Sequence, residues 1–262
     1  MAEHKEGIYS SFMRRLLVAL GLATFTAAAI PQNASSAELM EQSVASVGNY
    51  RVGAFAGAFI PNRASWNGSG TINALPFAAS GHISLNTGSA VSGLVGYAFN
   101  SYLNVDLALG RVASNFEKFD GTVSIAGLGS LSGSMPLSGR IHTTAGFVNF
   151  LITPVGTDGR LTPYFGIGPG FANSTARLQS FSVGPAILPI NSTSSETDPA
   201  ADVVLGFDVK MTPQLEIGLA YEYVWIDAKH LGSGSGIQAN AGHVSGHILG
   251  LVLEYRFKGP AS

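Results

Sequence analysis

The sequence predicts an all-β chain, a closed antiparallel eight-stranded up-and-down transmembrane β-barrel. Three observations predict it. Several segments alternate strictly between apolar and polar or small side chains over the ~9–11 residues that a tilted membrane-crossing strand needs. Short and long connections alternate along the chain. An export signal precedes all of them.

The export signal comes first. Arg14 and Arg15 lead into the apolar run 16–30, and Ser35, Ser36 and Ala37 supply small residues for cleavage. The run is too short and wrongly flanked for a spanning helix. Residues 1–37 are therefore read as a signal peptide, 38–47 as a short periplasmic segment, 48–257 as the barrel and 258–262 as a periplasmic tail. Glu3 and Glu6 do not suit a signal's basic start, which makes Met13 an alternative start with residues 1–12 an extension ahead of it. Removing residues 1–37 takes Lys5, Arg14, Arg15, Glu3 and Glu6 from the 14 basic and 16 acidic residues. That leaves 11 and 14, a net charge of −3.

Composition narrows the class. No stretch of ~20 apolar residues survives in the mature chain, which argues against helical membrane spans. Gly is abundant at 33 residues, and Ser, Thr and Asn interleave with apolar residues, as in all-β chains. The absence of Cys excludes disulfides and thiolate metal sites. The charge leaves no basic footprint for nucleic acid.

The clearest strand is 215–225. Leu215, Ile217, Leu219, Tyr221, Tyr223 and Trp225 share one face, and Glu216, Gly218, Ala220, Glu222 and Val224 the other. Leu249, Leu251, Leu253, Tyr255 and Phe257 alternate likewise with Gly250, Val252, Glu254 and Arg256. Leu103 to Leu109 alternates with Asn104, Asp106 and Ala108, and Val203 to Val209 with Gly206 and Asp208, flanked on that face by Asp202 and Lys210. Segments 50–60, 91–99, 143–154 and 161–171 complete an even count of eight. The segment 143–154 is apolar on both faces, so its orientation stays open.

Alternation alone does not say which face is outside, because a soluble barrel alternates too. Connection lengths decide. Turns at 100–101, 156–160 and 211–213 are short, whereas 62–90, 113–142, 173–201 and 227–242 are long. This is the pattern of short periplasmic turns and long extracellular loops. The apolar faces then meet lipid, and Arg51, Asp106, Asp208, Lys210, Glu216, Glu222, Glu254 and Arg256 point into a lumen wide enough only for side chains. They are expected to form a charge network there, read as static ion pairs that plug the lumen in preference to a gate or proton path.

The segments Gly53-Ala54-Phe55-Ala56-Gly57, Leu161-Thr162-Pro163-Tyr164-Phe165-Gly166-Ile167-Gly168-Pro169-Gly170 and His247 to Phe257 carry a resemblance. With the export signal, they resemble the opacity-type outer-membrane β-barrel family of small eight-stranded proteins of Gram-negative bacteria, over residues 48–257. The resemblance implies a cell outer-membrane location. It also implies that Leu253, Tyr255 and Phe257 form the C-terminal signal read by the barrel-assembly machinery. Family members serve as surface antigens, adhesins, envelope stabilisers or small-solute channels. Two departures stand out: the tail Lys258 to Ser262 follows the final aromatic, and the long connections carry little charge.

Other chemistry is weaker. His230, His243 and His247 could hold a metal or haem at the outer rim, but no Cys or dense acidic set accompanies them, and solvated or interfacial side chains are the favoured reading. His243, Ser245 and Glu254 look like a hydrolase set of the lipid A deacylase kind. Strand parity puts Glu254 on the other face from His243 and Ser245. Gly166-x-Gly168-x-Gly170 has no following helix and is no phosphate loop; its glycines suit curvature and close packing of inward side chains. The Gly/Ser-rich stretches 127–139 and 232–236 read as flexible spacers. Leu128, Leu131, Phe181 and Ile187 are too apolar for fully solvated loops, which points to strands extending above the membrane or to a contact surface.

The expected function is a non-enzymatic integral outer-membrane protein with a structural or surface-interaction role, without catalytic residues, metal or cofactor. The alternatives are a narrow channel for small or hydrophobic solutes and, less favoured, a membrane-embedded hydrolase. Expected partners are outer-membrane lipid and lipopolysaccharide, the assembly machinery, and a host or cell-surface ligand on the long loops. Cleavage after Ala37 gives the first test. N-terminal sequencing of the membrane-extracted protein should begin at Glu38 or within a few residues of it, and a mature chain that retains 16–30 would refute the signal assignment.

Overall fold

Alternating side chains can satisfy a membrane only if the strands also close on one another, since lipid offers no hydrogen bonds to an open sheet edge. The computed structural model shows that closure. It describes residues 49–72, 75–127, 129–157, 159–183, 186–228 and 238–257. The expected signal peptide, the segment 38–47 and the tail 258–262 lie outside them, as do Leu128 and the stretch 232–236. Among the described residues eleven strands form: β1 (Asn49–Pro61), β2 (Ala64–Ile72), β3 (Leu75–Leu85), β4 (Gly88–Ala98), β5 (Leu103–Ile125), β6 (Gly129–Ile152), β7 (Leu161–Val183), β8 (Ala186–Lys210), β9 (Leu215–Ile226), β10 (Gln238–Asn240) and β11 (Val244–Phe257).

Eight of them, β1, β4, β5, β6, β7, β8, β9 and β11, hydrogen-bond in an antiparallel ring closed by β1 on β11. These contain the eight predicted strands. The short turns also stand where the connection lengths put them. Asn100 Oδ1 accepts the Tyr102 and Leu103 amides at 2.8 Å each, and Thr212 Oγ1 accepts the Leu215 amide at 2.9 Å, so both turns are pinned by their own side chains.

The long connections differ from the expectation. β5 to β8 run for 23–25 residues, so most of 113–142 and 173–201 is strand. The stretch 127–139, expected to be a flexible spacer, lies largely in β6. In 62–90, β2 and β3 form a hairpin that adds to upper β5, and β10 adds to β2. Of the two readings of the apolar loop residues, strands above the membrane is the one the structure bears out. Phe181 is buried there, while Leu131 stays exposed.

β-Bulges explain why these extensions escape a period-two reading. Register slips occur at Asn115–Lys118 in β5, Ser138–Gly139 in β6 and Leu178–Ser180 in β7, and these positions pair with one another across the sheet. A bulge moves the inward set by one residue. Phe116 and Phe119 therefore both point inward although their parities differ. Gly139 sits at the slip with φ +155°, and a Cβ there would run into the Arg177 carbonyl and the Phe116 ring.

Polarity inverts at about this level. Below the bulges the outer surface is a continuous apolar belt, with Leu107 and Leu109 62% and 64% exposed. Aromatic residues edge it, with Tyr50, Tyr97, Phe99, Tyr255 and Phe257 at the turn end and Tyr223 and Trp225 at the other. The segment 143–154 is now oriented: Val148, Phe150 and Ile152 face out, and Phe147, Asn149 and Leu151 face in. The outer face pairs hydroxyls across strands, at Thr175–Ser195 just below the bulges and at Thr122–Ser132 and Ser124–Ser130 above them. The interior there is an apolar core that includes Phe77, Phe119, Val123, Met135 and Phe181, with Trp66 edge-on to Phe119.

This inversion can be read with nitroxides at single introduced cysteines, since native thiols are absent. Labels at 219 and 253 should be accessible to oxygen, labels at 216 and 254 to neither oxygen nor aqueous nickel, and a label at 195 to nickel. An oxygen-accessible 216 with a shielded 219 would overturn the facing.

Candidate functional site

The lower lumen is built by register. Arg51 on β1, Gly96 on β4 and Asp106 on β5 are successive partners in one row. Glycine in the middle of that row leaves the floor open, and a Cβ on Gly96 would collide with both Arg51 and Asp106. Arg51 therefore lies across β4 and grips Asp106 with two bonds, Nε to Oδ1 at 3.0 Å and Nη2 to Oδ2 at 2.5 Å. Its Nη1 donates to Glu254 Oε2 at 3.1 Å, so one guanidinium ties β1, β5 and β11.

Beside it, like charges stand directly opposite: Arg51 faces Arg256, and Glu216 faces Glu254. Such pairs are unfavourable taken alone. The diagonals resolve them, because Arg51 takes Glu254 and Arg256 takes Glu216, with Nε and Nη2 both 2.8 Å from Oε2. Tyr164, buried from β7 over Gly206, fills more of the bore.

Not every predicted member joins the network. Lys210 donates to the Thr157 carbonyl at the short turn between β6 and β7, although Glu216 is its partner across the strands. Asp208 lies over Gly218 and is buried, and neither of its carboxylate oxygens has a hydrogen-bond partner. Glu222 sits a layer higher, half-buried, with the Asp202 carboxylate beside it. With its amide nitrogen turned toward Asp202, Asn149 donates to Oδ1 at 2.9 Å. Asp202 and Asn149 are site residues outside the predicted network. Asp202 was on the inward parity of its strand and legible. Asn149 lay in the strand whose two faces look alike.

Above this layer the lumen holds a small apolar chamber of about 80 Å³. Phe55, Phe59, Phe147, Val224 and Ile248 form its wall, and Asn149 and Glu222 form its polar floor. Elsewhere, His247 Nδ1 meets the Tyr221 hydroxyl at 2.7 Å, and His243 stacks on Trp225. Ser245 Oγ accepts from Asn62 at 3.0 Å, so this serine and His243 are engaged separately. His230 lies outside the described residues.

A closed ring with an apolar belt, aromatic edges and a polar, side-chain-filled bore is the architecture of a barrel embedded in lipid. The model of the outer membrane protein beta-barrel domain matches residues 17–257. The chain belongs to this family. Its place is the cell outer membrane, as the sequence predicted. Among curated proteins none matches the sequence.

Solved structures are similar to this chain at low identity. OprG from Pseudomonas aeruginosa is 16% identical with a TM-score of 0.46, covering 82% of this chain and 98% of its own. Ail of Yersinia pestis, solved in complex with the heparin analogue sucrose octasulfate, is 12% identical with a TM-score of 0.38, at 80% and 99% coverage. Neisserial surface protein A is 15% identical with a TM-score of 0.40, at 80% and 97% coverage.

The clamp yields a stability prediction. Arg51→Ala leaves Asp106 and Glu254 buried without their cation, a loss of about 3–5 kcal/mol for a broken buried pair. The folded, fast-migrating band on unboiled gels should convert to the unfolded one at a clearly lower temperature. Arg51→Lys should recover only part of the loss, because an ammonium cannot make the two-pronged contact with Asp106. A wild-type transition in Arg51→Ala would mean that the row carries no stability.

Proposed function

We propose that this outer-membrane barrel is a non-enzymatic, plugged anchor that holds a stiff β-sheet above the membrane for envelope structure and surface interaction. The observation that carries the reading is the length of β5 to β8, at 23–25 residues about twice the ~9–11 that a crossing needs. The excess is ordered strand with its own apolar core and a hydroxyl-rich outer face, a surface suited to neutral contacts. The charge network supports the plug: Arg51, Asp106, Glu216, Glu254 and Arg256 fill the bore with Tyr164, while Asp208 and Lys210 stand beside them and Glu222 above.

Outer-membrane lipid and lipopolysaccharide are the proposed partners along the wall. Arg140 and Arg177 are cross-strand partners on the outer face, both exposed, and Arg111 is exposed just above Leu109. Among the described residues no ion pair to these arginines is seen, and their level is where anionic headgroups end the apolar belt. A cell-surface ligand on the upper sheet and recognition of Leu253, Tyr255 and Phe257 by the assembly machinery belong to the same proposal. The three C-terminal side chains all face outward from β11, free for such a contact.

The apolar chamber favours a second reading, entry of small hydrophobic solutes. Planar bilayers and liposomes separate the two. The anchor reading expects purified protein to give no stable porin-sized conductance and no faster uptake of an apolar dye such as N-phenylnaphthylamine into liposomes. Large, reproducible single-channel steps abolished by heat denaturation would replace it with a channel. Silent bilayers with accelerated dye uptake would replace it with a hydrophobic-solute path.

A further inference from the structure

We infer that the lower lumen holds a divalent metal cation of calcium's size between Asp208, Glu216 and Glu254. The inference goes beyond the anchoring role and does not depend on what the upper sheet contacts. One carboxylate oxygen from each of the three side chains lies within 4.8 Å of the others, and all three residues are buried. Oxygens around one calcium ion sit about 2.3–2.6 Å from it, so opposite ligands are about 4.6–5.2 Å apart and this spread belongs to a single coordination shell. Magnesium, at about 2.0–2.1 Å in a strict octahedron, would need the strands to draw together.

Two further observations point to a ligand, independent of the clustering. Asp208 is 1% exposed and both its oxygens lack a hydrogen-bond partner. Glu216, also 1% exposed, spends Oε2 on Arg256 and leaves Oε1 unpartnered. Unmade contacts of this kind in a buried place are costly. The charge is also unbalanced. Asp106, Asp208, Glu216 and Glu254 set four carboxylates against the guanidiniums of Arg51 and Arg256, while Lys210 is turned to the Thr157 carbonyl. Two negative charges remain, and one divalent cation cancels them.

The fold keeps room for the ion. Asp208 projects over Gly218, where a Cβ would strike its carboxylate. The layer lies near the short turns, one strand step or two from the Lys210–Glu216 pair that borders the turn 211–214, so the ion would enter from the periplasmic side.

Calcium binding to protein refolded from inclusion bodies tests this, because such protein is free of lipopolysaccharide, whose phosphates hold calcium themselves. After EDTA treatment and dialysis against calcium chloride, the folded wild type should retain one calcium per chain, and its thermal transition should rise with calcium in a saturable way. Asp208→Asn, nearly isosteric, should fold to the fast-migrating band and bind calcium about tenfold or more weakly, since ligand charge sets affinity at such sites. No retained calcium in the wild type, or equal binding by wild type and variant, would overturn the site. Should Asp208→Asn not fold, Tyr164→Phe decides. Tyr164 stands one cross-strand diagonal from Asp208, so terbium bound there should be sensitised through it and lose most of its emission in the variant. Unchanged emission would refute the site. Conductance plays no part in these readouts, so a failure here leaves the anchor reading standing.

Discussion

Everything in this molecule follows from the demand that the ring close. In hydrocarbon no water satisfies a free backbone amide or carbonyl, so β1 must find β11, and eight strands is a small number on which to close. A ring that small has a bore with room for side chains and for little else. What fills the bore must in turn be polar enough to use the inward positions and shaped to interlock. The answer is a size alternation between neighbours: Arg51 and Asp106 over Gly96, Asp208 over Gly218, Tyr164 over Gly206, Asn149 and Asp202 over Gly168. Glycine serves here as the space into which a partner strand's long side chain is laid.

The same chain then solves the opposite problem above the membrane without changing topology. Strands that face lipid below must face water above, so their inner and outer polarity must exchange. The row of bulges across β5, β6 and β7 lies close to that exchange. In β5 and β7 the slip shifts the inward parity by one and lets Phe116 and Phe119, or Leu178 and Phe181, serve one core from positions of unlike parity, while β6 keeps Met135, Leu137, Ile141 and Phe147 on one parity throughout. The upper sheet thus acquires what a soluble sandwich or barrel has, an apolar interior and hydroxyl-bearing outer rows. The low charge of this region, at odds with a picture of solvated loops, follows from its being sheet.

This also explains which parts of the molecule were legible in the sequence. Segments 103–110, 203–209, 215–225 and 249–257 carry no bulge, and a period of two reads them directly. The upper halves of β5 and β7 obey the same period on each side of a slip, but a window spanning the slip averages it away, and they pass for loops. The inward charges were legible because a charge on a lipid face is costly and parity left them one other place. Their partners were not, because pairing depends on register between strands distant in sequence. Arg51 meets Asp106 across Gly96 and Glu254 across the closure, and nothing near Arg51 in the chain announces either. His243 and Ser245 share a parity in the sequence, yet they are occupied by Trp225 and Asn62, a distinction only the folded rim makes.

Register also determines why the charge pairing in the lumen is uneven. Inward charges recur along three neighbouring strands, Glu254 then Arg256 on β11, the two acids Glu216 and Glu222 on β9, and Asp208 then Lys210 on β8. The checkerboard of Arg51, Arg256, Glu216 and Glu254 is complete in itself, each guanidinium taking the diagonal acid. Adding β8 brings one more acid and one more base. The base sits at the rim, where a turn carbonyl competes for it, and the acid sits one step deeper, where no donor reaches. Lys210 can follow its long stem toward the turn, but Asp208 is short and fixed over Gly218. The excess of carboxylate in the lumen is thus a consequence of side-chain reach. A mobile cation can repair it where the remaining base of β8 does not.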